Sequence, residues 1–126
     1  MVKVCSNAKL KDTGIDLIKN CEYKYKATGI WVDWFIPCDA DGYPDVLNSL
    51  MNTIFGRHTK RIPSAKWFQL VGVIKGSQDI AYEIKLGMEG IFPSPESGGL
   101  CVFANDADFA YWNNFGCIEL YIEPNK

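Results

Sequence analysis

Apolar and polar residues alternate with a period of two over six short stretches: residues 14–19, 22–28, 67–74, 80–85, 100–104 and 117–123. Side chains two apart share one face of an extended strand, so each stretch reads as a half-buried β-strand. Turn residues punctuate the intervals, at Asp41-Gly42-Tyr43-Pro44, Gly87, Gly90, Pro93-Ser94-Pro95 and Gly98-Gly99. Short strands closed at each end by Gly and Pro predict an all-β chain, a two-sheet sandwich or jelly roll rather than alternating β-α units. One segment departs from this period. Residues 44–56 carry apolar side chains at 46, 47, 50, 51, 54 and 55, with Pro44 suited to the first helical turn and Gly56 to the stop. That spacing predicts one short inserted amphipathic helix, its apolar stripe packed on its own domain.

The 126 residues suffice for one domain with its own core, and neither an internal repeat nor a linker divides them. With 48% hydrophobic and 22% charged residues the composition is that of a globular chain. A formal net charge of −2 supplies no basic field for a phosphate backbone, which argues against nucleic acid as a partner. The densest basic run, Arg57-His58-Thr59-Lys60-Arg61, reads as a solvated loop. Residues 1–10 hold no apolar core of signal-peptide length, so neither export nor membrane insertion is expected.

Five cysteines (Cys5, Cys21, Cys38, Cys101, Cys117) and a single histidine fit no zinc pattern. Cys101 and Cys117 sit in apolar runs, where a reduced cysteine behaves as a small hydrophobe. Five free thiols in a reducing, cytoplasmic compartment are therefore expected, with a disulfide among Cys5, Cys21 and Cys38 as the alternative. No catalytic pattern is present: no nucleophile elbow, no phosphate loop, and no imidazole other than His58. The chain is expected not to be an enzyme.

The densest constellation of oxygen ligands runs from Asn105 to Gly116, between two predicted strands. A hard cation such as calcium takes six to eight oxygens, and Asp106, Asn113 and Asn114 offer a carboxylate and two amide carbonyls within one curled loop. Spacing alone equally allows a polar loop in which these side chains satisfy their own backbone.

The run Asn105-Asp106-x-x-x-x-Tyr111-x-Asn113-Asn114-x-Gly116 resembles the calcium and sugar loop of the PA-IL (LecA) family of galactose-binding bacterial lectins. Gly76, Pro93 and Gly98 keep that family's spacing to the Asp, and residues 67–74 take the place of a central strand. In the N-terminal half Gly29-Ile30-Trp31 is the best landmark. The resemblance implies a galactose-binding-domain-like jelly-roll sandwich and calcium as cofactor. The metal ligands it implies are the side chains of Asp106, Asn113 and Asn114, the carbonyl of Ala110, and the carbonyl of Trp34 or of Asp33, according to whether Trp31 or Gly29 sets the alignment. Asp106, Ala107, Asn113, Trp34, His58 and Trp112 are the implied sugar contacts, with Tyr111 a further aromatic candidate. Where the family has a His-Pro-x-Gln loop, this chain carries the predicted helix followed by His58, without the proline or the glutamine.

Two functions follow as expectations. One is a calcium-dependent lectin or carbohydrate-binding module for galactose-like ligands, with a homo-oligomer raising avidity. The other is a non-catalytic protein-interaction or structural sandwich in which the Asn-Asn loop only braces two strands.

Overall fold

The computed structural model describes residues 1–75 and 81–126. Among them are eleven strands and one α-helix. In chain order these are β1 (Val2–Cys5), β2 (Lys11–Leu17), β3 (Glu22–Thr28), β4 (Trp31–Asp33), β5 (Ile36–Cys38), α1 (Asp45–Phe55), β6 (Leu70–Lys75), β7 (Ala81–Lys85), β8 (Glu89–Pro93), β9 (Gly98–Ala104), β10 (Asn114–Phe115) and β11 (Cys117–Pro124). Gly76 and Ile80 lie outside the described residues.

Two four-stranded antiparallel sheets, β1-β11-β3-β8 and β2-β9-β6-β7, form the sandwich, and a small sheet β10-β4-β5 closes one end. Alternation does the work the sequence implies. Val4, Ile118, Leu120, Ala27, Tyr23 and Phe92 face inward from the first sheet, and Leu70, Ile74, Leu100 and Val102 from the second. All belong to one core cluster with Trp31 and Phe68. Register brings inward residues opposite one another, with Val4 against Ile118, Leu120 against Ala27 and Ile74 against Leu100. Each pair removes apolar area from water at about 25 cal/mol per Å².

The helix forms as expected, with Pro44 just ahead of its first turn and Gly56 at its end, where the Gly56 N–H donates to the Asn52 carbonyl. Its packing corrects the expectation. Leu47 and Met51 reach the core, whereas Val46, Leu50, Ile54 and Phe55 are exposed. Two polar side chains also anchor the helix: Asn48 Oδ1 accepts from the Trp67 backbone N–H at 2.8 Å and Asn52 Oδ1 from the Trp67 indole N–H at 3.0 Å. Asn48 and Asn52, one turn apart, thus rotate the helix away from its most apolar face.

The cysteine expectation is also overturned, because Cys5 and Cys117 form a disulfide. They are directly opposed in the β1–β11 register, so an apolar run that looked like a site for a buried thiol places Cys117 beside a partner 112 residues away. A cystine persists in oxidising surroundings, and the cysteine argument for a reducing cytoplasm falls with it. Cys38 stays a thiol, and burial pushes its pKa up to about 12, which keeps it protonated and inert.

The basic run after the helix is not simply solvated. Lys60 is buried, its ammonium donating to the Ala65 carbonyl at 2.6 Å and lying over the Trp67 ring, and Arg61 stacks 3.7 Å from the Phe103 ring centroid. Burial lowers the Lys60 pKa. Both residues hold the loop before β6 onto the outer face of β9, where Phe103, Val71, Ile62 and Ala65 form a second apolar cluster.

Candidate functional site

The loop between β9 and β11 is fixed first by Asn105, which is wholly buried. Its Oδ1 accepts from the Ile62 N–H, and its Nδ2 donates to the carbonyls of Ile62 and Lys66. Every polar atom of the side chain is spent on the neighbouring loop, so Asn105 is a brace. The loop backbone joins in, as the Arg61 N–H donates to the Asp106 carbonyl and Lys60 bridges to Ala107.

Asp106, next in the chain, is turned inward and only 3% exposed. Oδ1 accepts from the Ala107 N–H at 2.7 Å and Oδ2 from Asn114 Nδ2 at 3.0 Å. No cationic side chain pairs with it among the described residues. Burial, with Asp33 adding like charge, raises its pKa to about 6 against the lowering effect of the Asn114 and Ala107 hydrogen bonds.

Asn114 is equally buried and donates its second amide hydrogen to the Ser6 carbonyl at 3.1 Å. Both Nδ2 partners are pure acceptors, which fixes the amide's orientation. Its Oδ1 is left buried without a hydrogen-bond partner, and so is Oδ1 of Asn113. An unsatisfied buried carbonyl costs about 1–3 kcal/mol, and two of them on consecutive residues beside a buried carboxylate call for a donor or a cation.

The opposite wall comes from the small sheet. Asp33 pairs in register with Asn114, and the Trp34 N–H donates to the Asn113 carbonyl at 3.0 Å. That bond holds Trp34 at φ +59°, a conformation non-glycine residues adopt at a cost. Tyr43 donates its hydroxyl to Asp33 Oδ2. The Asp33 pKa is raised, burial outweighing the Tyr43 hydrogen bond.

A cleft of about 410 Å³ opens over these groups. Asp33, Asp106 and Asn113 line it together with Trp34, Ala107 and Ala110, and its other walls include Phe35, Phe109, Trp67 and the Met51, Ile54 and Phe55 residues of α1. The structure therefore gathers Asp33, Trp34, Asp106, Ala107, Ala110 and Asn113 around one space, with Asn114 directly behind.

Three candidates lie elsewhere. His58 sits exposed in a single-turn 3-10 helix after α1 and does not line the cleft. Trp112 is 84% exposed and also outside the lining. Tyr111 is buried, accepting from Arg61 Nη1 at 3.0 Å and donating to the Ala104 carbonyl, so it is a strut rather than a sugar platform. Tyr111→Phe leaves that carbonyl without its donor and is expected to cost about 1–3 kcal/mol in a urea melt. Sequence reasoning passed over Ser6, Tyr43 and the helix wall. Only Tyr43 carried a signal, as an aromatic residue inside a turn.

Among the described residues no three His, Cys, Asp or Glu side chains cluster to hold a metal. A cation here would rest on the Asp106 and Asp33 carboxylates and on neutral amide and carbonyl oxygens, the donor set that calcium accepts. The two orphaned amide oxygens fit such an ion.

No family model matches the chain, and no curated protein sequence does. A solved structure described as "EclA N-terminal domain; PllA-like lectin" superposes with a TM-score of 0.66 at 14% identity, covering 98% of this chain and 94% of that one. The likeness establishes an all-β sandwich fold shared with that lectin domain and reaches no further than the fold.

Proposed function

We propose that the chain is a non-catalytic, calcium-dependent lectin or carbohydrate-binding module for galactoside-type ligands. The observation that carries this reading is the pair of buried, unpartnered Oδ1 atoms of Asn113 and Asn114, Asn113 lining the cleft with Asp106 and Asn114 bonded to Asp106 just behind it. The side chains of Asp106, Asn113 and Asn114, with the carbonyl of Ala110 and that of Trp34 or Asp33, would hold the ion. When bound, calcium supplies coordination for two neighbouring sugar hydroxyls. Asp106 and Asn113 would accept the hydrogen bonds those hydroxyls donate, with Ala107 lining the cleft beside them. The Trp34 face offers a surface for the apolar C–H side of a pyranose ring.

The lectin-type fold of the solved neighbour supports the reading, and so does the shape of the cleft, apolar on its walls and polar at its base. Binding to the native state alone stabilises it by mass action, so calcium at about a hundred times Kd is expected to add about 2.7 kcal/mol to stability. Differential scanning fluorimetry should show a Tm that rises with calcium, returns with EDTA, and rises again when galactose is added to the calcium-loaded protein. A Tm indifferent to millimolar calcium would refute the proposal. A calcium response without any galactose response would confine it to metal binding and send the sugar question to a glycan array.

A further inference from the structure

Asn114 lies directly behind the cleft with both amide hydrogens engaged and its Oδ1 buried without a partner, and one of those engagements leads to the disulfide. The acceptor is the carbonyl of Ser6, at 3.1 Å. Ser6 is wholly buried and follows Cys5 directly. Its N–H donates to the Gly116 carbonyl at 3.0 Å, and its hydroxyl reaches the Phe115 carbonyl at 2.8 Å and the Gly116 carbonyl at 3.2 Å. The residue thus grips the two residues that lead into Cys117, to which Cys5 is bonded. β1 is a four-residue strand at the edge of its sheet, paired only with β11. Short edge strands fray at low free-energy cost, and the covalent link falls at the end of β1 next to Ser6.

We propose that Ser6 is a positioning residue for Asn114 and that the Cys5–Cys117 disulfide is a redox-sensitive clamp on the cation site. This rests on the calcium reading of that site. With the clamp closed, the Ser6 carbonyl and Asp106 Oδ2 hold the Asn114 amide in the one orientation that leaves Oδ1 unpartnered and available to a cation. Both cysteines are half-buried, and the reductant proposed for them is a small dithiol. One thiolate of the dithiol attacks a sulfur of the cystine, and its second thiol resolves the mixed disulfide. The S–S bond of the protein breaks, two electrons and two protons pass to the Cys5 and Cys117 sulfurs, and the dithiol leaves as a cyclic disulfide. The end of β1 then depends on hydrogen bonds alone, and Asn114 loses its fixed acceptor.

The test is calcium titration by isothermal calorimetry on the full chain, oxidised and after dithiothreitol, and on oxidised Ser6→Ala and Ser6→Thr. Outer-shell partners of metal ligands are worth about 10–100-fold in affinity, so reduction and Ser6→Ala should each weaken calcium binding by about tenfold or more, with Ser6→Thr restoring it. Equal affinity in the oxidised and the reduced, still folded protein overturns the clamp. If reduction unfolds the chain, Ser6→Ala decides, and unchanged affinity there overturns the proposal. If the oxidised protein binds no calcium, the function proposed above fails by itself. The Asn114 side-chain amide resonances, recorded without metal, then judge the clamp: a shift or exchange broadening on reduction supports it, and indifference overturns it.

Discussion

Gly42→Ala is expected to destabilise the protein by about 3 kcal/mol or more, placing it among the costliest single substitutions available here. Gly42 has φ +82°, in the left-handed region that charges any side chain, and the space around it is closed as well. A Cβ at this position would meet the Trp67 carbonyl oxygen at 2.5 Å and the Gln69 nitrogen at 2.7 Å. Both are backbone atoms and cannot swing aside. The close approach has a purpose, since it lets the Tyr43 N–H donate to that same Trp67 carbonyl at 2.9 Å. Tyr43 in turn holds Asp33, and Trp67 anchors both asparagines of α1. Urea melts of the variant should show the loss, together with a weaker calcium response in the fraction that folds. A variant as stable as the parent would mean that the chain through residues 66–70 moves freely, which is incompatible with its bonds to Asn105, Asn48 and Ala40.

The same neighbourhood shows why some of the fold was legible in the sequence and some was not. Glu22–Thr28 was read at its true bounds because seven alternating residues span a sheet interior, and 117–123 missed its end by one residue. β4 and β5 are three residues each around the turn at Trp34-Phe35, too short for any period to show. Their existence depends on pairing with each other and with β10, a long-range property. The helix was found from its spacing, but not its orientation. The expected apolar stripe at 46, 47, 50, 51, 54 and 55 packs only in part, through Leu47 and Met51, and two asparagine hydrogen bonds share that side of the helix. Local pattern measures hydrophobicity and is blind to which polar side chain finds a partner.

The candidate site divides along the same line. The Asp106 to Asn114 loop is contiguous, so its composition could be read directly, and the fold adds the orientation of its oxygens. Asp33 was reached only through alignment on Gly29, and the structure sets its strand beside Asn114. Ser6 and the cystine were out of reach. Cys117 looked like a core residue from its neighbours, and only the register of β1 on β11 reveals its partner. His58, the one imidazole, drew attention for its chemistry and lies away from the cleft because the 3-10 turn after α1 carries it outward.

The buried acids give the second large prediction, an opposite pH dependence with and without calcium. Folding raises the Asp106 pKa to about 6 from 3.8, with burial as the main cause. Between those values the native chain keeps a proton that the unfolded chain has released. Stability in chelator is therefore greatest below the lower value, declines as pH rises through the window, and levels off above about 6. Asp33, raised by burial as well, acts in the same direction. Asp45, exposed and lowered by its Lys66 partner, acts in the opposite one, so the contribution of Asp106 must be isolated as the part of the slope that Asp106→Ala removes. Calcium needs the ionised carboxylate, and its binding gains as the native proton leaves. The Tm difference between calcium and EDTA should then be small at pH 5, grow steeply through pH 6, and vanish at every pH in Asp106→Ala. A calcium effect that is already full at pH 5 would mean that the Asp106 carboxylate is ionised there in the folded state. Its burial would then be compensated by protein donors, and the free oxygens of Asn113 and Asn114 would need another explanation.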